Sequence, residues 1–151
     1  VVVRYREWVL DRYFRGDARV KDDTAVTRDD MAKHHLILFG DPESNQLLKQ
    51  MAGKLPIRWS AGGVRAGSTS FPAAHHALVC ICPNPLSPER YVVLNSGFTF
   101  REYDYLNNAR QVPKLPDYAI VDVNVPVSSR SPGGIVAAGF FGERWELPAR
   151  K

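Results

Sequence analysis

The chain has 151 residues, 44% hydrophobic and 24% charged, the composition of one globular unit and not of a disordered, collagen-like or low-complexity polymer. Lys and Arg outnumber Asp and Glu by 20 to 16, but the excess is interspersed with acids, which argues against nucleic acid as a partner. Its uncharged apolar runs fall far short of the roughly 20 residues that span a bilayer, which argues against membrane insertion.

Residues 1–16 place Val1, Tyr5, Trp8, Val9 and Tyr13 at helical intervals and stop at Gly16, which predicts an amphipathic helix. Val1-Val2-Val3-Arg4 offers neither an initiator Met nor the apolar core of a signal peptide, so it reads as a segment of a longer precursor. A polar stretch without periodicity covers residues 17–25. Thr27, with Asp30 three positions on, predicts an N-cap and a short helical turn to Lys33. Residues 1–33 are thus expected to be a helical leader or connector, and residues 34–151 the domain proper.

Leu36-Ile37-Leu38-Phe39, closed by Gly40-Asp41-Pro42, is an apolar run without alternation and predicts a strand buried on both faces. Leu47, Leu48 and Met51 share one face of a helix expected over residues 43–53. A second strand at 55–59 would complete a right-handed β-α-β unit. Residues 62–67 suggest a small hairpin or excursion. Residues 77–81 and 91–94 suggest buried strands, and the prolines at 83, 85 and 88 exclude helix and central strand between them. An aromatic-rich helix is expected at 98–110, a strand at 119–123, and a closing β pair at 135–141 and 144–147. Strand–helix alternation followed by added β segments predicts an α/β domain, a three-layer Rossmann-like or flavodoxin-like sheet, mostly parallel or mixed.

In such a sheet Gly40, Asp41, Ser44 and Asn45 fall where a strand ends and a helix begins. Ligands bind there, and free backbone N–H groups favour anions. Asp, Ser and Asn are equally the residues that cap a helix, and the glycine-rich nucleotide fingerprints are missing. Asn95 and Ser96 follow the 91–94 strand. If that strand runs parallel to the first, they face Asp41 and Asn45 across a crevice, although Gly97 and the aromatics after it also suit a plain turn and helix anchor. No G-x-S-x-G elbow occurs. His34-His35 and His75-His76 are adjacent pairs whose members point to opposite faces of a strand, a poor ligand arrangement. Cys80 and Cys82 share one face and suit two small buried side chains better than a zinc site. No catalytic residue, metal or cofactor is assigned.

Several strings of this chain resemble a known family. Residues 14–24 (Phe14-Arg15-Gly16-Asp17 onward), His34-His35-Leu36-Ile37-Leu38-Phe39-Gly40-Asp41-Pro42-Glu43-Ser44-Asn45, Lys54-Leu55-Pro56-Ile57-Arg58-Trp59 and residues 84–97 are similar to the C-terminal accessory region of large secreted bacterial proteins. The upstream part of those proteins is a prolyl oligopeptidase-like or esterase-like α/β-hydrolase. The resemblance implies an extracytoplasmic setting, an upstream hydrolase domain of the same precursor as partner, and a non-catalytic role, because the nucleophile elbow belongs to the upstream part. Two alternatives stay open. One is a small-ligand-binding domain or enzyme using the crevice between residues 40–45 and 95–97. The other is self-association through Tyr5, Trp8, Tyr13 and Phe14.

Overall fold

A computed structural model describes residues 19–95, 115–126 and 134–148. The expected helices at 1–16 and 98–110 lie outside the described residues. Helix α1 (Arg28–Lys33) begins at a complete capping box: Thr27 Oγ1 accepts from the Asp30 amide, and the Asp30 carboxylate accepts from the Thr27 amide. Lys21 Nζ reaches the same carboxylate at 2.6 Å. The helix ends where His34 turns extended. Just before it, Asp23 opens a 3-10 turn (Asp23–Ala25) and accepts from the Gln46 amide at 2.6 Å. Val26 and Met31 pack on the core, and Arg90 Nε donates to the Ala32 carbonyl at 2.9 Å. The described part of the leader is therefore fastened to the body at several points.

Eight strands follow among the described residues: β1 (Leu36–Phe39), β2 (Arg58–Ser60), β3 (Gly63–Ala66), β4 (Thr69–Pro72), β5 (His76–Asn84), β6 (Ser87–Asn95), β7 (Tyr118–Asp122) and β8 (Gly134–Gly139). Helix α2 (Gln46–Met51) and a 3-10 turn (Ala52–Lys54) separate β1 from β2. One sheet has the order β1-β6-β5-β7-β8. Only β1 and β6 in it are parallel, in the register Leu36↔Val92 to Phe39↔Asn95. The other is the antiparallel meander β2-β3-β4.

This architecture overturns the three-layer Rossmann-like or flavodoxin-like expectation: the described residues are 42% strand and 17% helical. The β-α-β inference fails at its third element. After α2 the chain does not return to the sheet of β1; Arg58–Ser60 starts the second sheet, in the exposed-buried-exposed pattern of a strand with one wet face. Short apolar runs do not distinguish a crossover strand from a meander strand. The two glycines that follow, Gly62 and Gly63, favour the meander. Gly63 has φ +144°, and a Cβ there would collide with the Phe71 carbonyl of β4, so only glycine permits the β3–β4 approach.

Three further expectations need correction. Strand β1 is not buried on both faces: among the described residues it is an edge strand, and Ile37 is 53% exposed. Pro83 and Pro88 lie inside β5 and β6. They are tolerated because β7 pairs with β5 only from His76 to Cys80, and β1 pairs with β6 only from Val92 to Asn95, leaving both prolines beyond those ladders. The closing β pair is a single strand, β8. Residues 142–146 instead form a turn, in which Gly142 N–H donates to the Glu146 carbonyl and Trp145 takes φ +63°, incompatible with continued strand geometry.

The core lies between the two sheets and α2. Leu38 of β1, Val92 and Leu94 of β6, Leu78, Cys80 and Cys82 of β5 and Ile120 of β7 share the inner face of the large sheet. Opposite them stand Leu47, Leu48 and Met51 of α2, with Ile57, Trp59 and Val64. Leu48, Met51, Ile57, Leu78, Leu94 and Ile120 are fully buried, each contributing roughly 1.5–3 kcal/mol of apolar transfer.

Candidate functional site

The corner after β1 concentrates the polar residues singled out from the sequence. Gly40 leaves the strand at φ +99°, a left-handed conformation that side chains other than glycine's rarely adopt. Asp41 then closes a tight turn on itself: its Oδ1 accepts from the Glu43 amide (2.9 Å), the Ser44 amide (2.8 Å) and the Ser44 hydroxyl (2.9 Å). Ser44 Oγ in return accepts from the Asp41 amide at 3.0 Å. Asn45 is the N-cap of α2. Its Oδ1 takes the Leu47 and Leu48 amides at 3.0 and 3.1 Å, and its Nδ2 donates to the Phe39 carbonyl at 3.1 Å. Partial burial works against ionisation of Asp41, but the donors from Ser44 and Glu43 outweigh it and hold the carboxyl below its ordinary value.

The β1–β6 pairing is parallel, so Phe39 and Asn95 stand side by side at the same edge of the sheet. Ser96 lies outside the described residues. The cleft at this corner does not run toward Asn95. It measures about 170 Å³ and opens between Gly40, Asp41, Pro42 and Glu43 on one side and Trp59, Ser60, Ala61, Ala73, His76 and Ala77 on the other. Gly40 and Asp41 line it, whereas Ser44, Asn45 and Asn95 do not. Its far wall, from the end of β2 and the start of β5, depends on the second sheet, which strand–helix alternation could not reveal.

His76 is the residue the sequence reading set aside. Its Nδ1 lies 2.9 Å from the Pro72 carbonyl, and its ring rests on Phe71 with centroids 5.4 Å apart. A carbonyl only accepts, so Nδ1 is the donor, and in the neutral tautomer the lone pair is on Nε2. Glu43 is exposed at the rim, and its carboxylate makes no hydrogen bond or ion pair among the described residues.

Among the described residues, no group of three or more His, Cys, Asp or Glu side chains could hold a metal ion, and no helix is long and apolar enough to cross a membrane. Cys80 and Cys82 are free and buried on the core face. The hydrogen bond that the Cys80 thiol donates to its neighbour Cys82, together with burial, pushes Cys80 well above its ordinary value. No protein-family model, curated protein or solved structure matches the chain.

Proposed function

We propose that this chain is a non-catalytic, β-rich accessory domain that docks on, or orients, a hydrolase domain of the same precursor. The observation that carries the proposal is an apolar row on the outer face of the large sheet. Ile37 pairs with Val93 and Val93 with Ile81, across three adjacent strands, on the face opposite the core residues Leu38, Leu94 and Cys80. Ile37 is 53% and Ile81 37% exposed, and Tyr91, two positions before Val93 on the same face, is also exposed. A contiguous apolar strip at the edge of a sheet is the kind of surface a second domain covers. The chemistry at the β1–α2 corner supports the same reading. Asp41 Oδ1, Ser44 Oγ and the Asn45 amide serve the turn and the helix cap, which leaves Ser44 hydrogen-bonded to a carboxylate inside a turn and not to an imidazole base.

The test has two arms. The isolated chain is assayed with chromogenic esters and peptide anilides, beside Ser44→Ala. No Ser44-dependent turnover is expected, and turnover abolished by Ser44→Ala would refute the proposal. In the second arm the hydrolase portion of the precursor is expressed separately. It should co-purify with the chain, and Ile37→Asp should abolish the association.

A further inference from the structure

The cleft between the β1–α2 corner and the second sheet has an acidic bias. Asp41 uses Oδ1 for its turn and leaves Oδ2 without one of those contacts. The Glu43 carboxylate is unengaged among the described residues. Ser60 Oγ lies 3.4 Å from the Gly63 carbonyl and has acceptor lone pairs to offer. His76 commits Nδ1–H to Pro72, which in the neutral tautomer leaves the Nε2 lone pair as an acceptor. Nearby donors are already spent: the Asp41 amide on Ser44, the Glu43 amide on Asp41, the Ala73 amide on Gly62, and Pro42 has none. Among the described residues no Lys or Arg lines the cleft, while two acidic residues, Asp41 and Glu43, do.

From this we propose that the cleft binds a cationic, donor-rich head group, the guanidinium or primary ammonium of a basic side chain or small amine. A guanidinium carries five N–H donors in a planar fork and no acceptor, the complement of the carboxylates of Asp41 and Glu43. The volume of about 170 Å³ holds such a head and part of its alkyl stem. An anion meets two carboxylates there and is repelled. A neutral polyol satisfies part of the wall but leaves the charge uncompensated. The cleft shares no residue with the Ile37–Ile81 strip, so it stands or falls separately from the docking proposal.

Agmatine, which carries both head groups on a short alkyl chain, is the probe. It is titrated into the full chain at low salt by calorimetry or NMR, with butyrate and glucose as comparison ligands. Saturable agmatine binding is expected, with no binding of butyrate or glucose. Glu43→Gln should weaken it about tenfold, Glu43→Lys should abolish it, and Asp30→Asn, on the surface elsewhere, should leave it unchanged. The Glu43 side chain bonds to nothing among the described residues, so both variants should keep the wild-type melting temperature. His76→Asn, which can still donate to Pro72 but lacks the Nε2 acceptor, should weaken binding as an independent check. Absence of saturable agmatine binding, equal binding of glucose or butyrate, wild-type affinity in Glu43→Lys, or equal weakening by Asp30→Asn would each overturn the assignment.

Discussion

Asn45 and Phe39 are joined by a hydrogen bond of 3.1 Å from the Asn45 side-chain amide to the Phe39 carbonyl, while the other end of the same amide caps α2. One side chain thus fixes where β1 stops and where the helix begins. Replacing Asn45 with Ala removes the cap and the tie to the strand together. It should cost about 1–2 kcal/mol, since an N-cap alone is worth about 1. Ser44→Ala should cost less, because Asp41 keeps the two backbone amides of its turn. Urea denaturation of the two variants checks the order.

Acid should unfold the protein through a definable pair of carboxylates. Hydrogen bonds from Lys21 and Thr27 hold Asp30 well below its ordinary value, and Asp41 is lowered as described above. A carboxyl whose pKa is lower folded than unfolded contributes stability above the unfolded value of about 3.9, and loses it as pH falls through the folded value. The melting temperature of wild type should therefore exceed that of Asp30→Asn and Asp41→Asn at neutral pH. The gap should begin to close below about pH 4–5. A gap that is constant down to pH 2 would show that neither ionised carboxylate contributes.

Gly63→Ala should be among the most damaging single substitutions. It forces a side chain to φ +144° and into the Phe71 carbonyl, so β3 and β4 must separate. Gly40→Ala also demands a left-handed conformation, but its new Cβ would meet mainly the movable Ser44 hydroxyl. Thermal denaturation should rank Gly63→Ala as the worse of the two.

The two thiols supply a probe of core opening. Cys80 and Cys82 are 2% and 0% exposed, and burial with their mutual hydrogen bond opposes thiolate formation at Cys80. Native protein should react with a thiol-specific disulfide reagent only slowly, and both cysteines should titrate at once in strong urea. Rapid labelling of the native state would show that the inner face of β5 opens readily.

Local signals in the sequence were readable where they were chemically specific. Thr27 with Asp30 marked the capping box, Leu47, Leu48 and Met51 marked the buried face of α2, and Leu36 to Phe39 marked β1 to the residue. Partner choice was not readable in the same way. Apolar runs at 36–39, 77–81, 91–94 and 119–123 specify strands but not their neighbours, and among the described residues the only parallel pair joins β1 to β6, with four strands between them in the chain. Trp59, Ser60 and His76 were missed for the same reason, since their place beside Asp41 arises from the second sheet. The His75-His76 doublet was dismissed as a ligand pair. The informative signal was a single histidine with its ring fixed by a backbone carbonyl, and that exists only in three dimensions.

Docking through the outer face of the large sheet is tested most directly by the affinity of the Ile37→Asp, Ile81→Asp double variant for the separately expressed hydrolase portion of the precursor. Both side chains are exposed, so the variant should melt close to wild type. The expected result is an association lost by at least two orders of magnitude with folding retained. An unchanged affinity in the folded double variant would contradict docking through this strip.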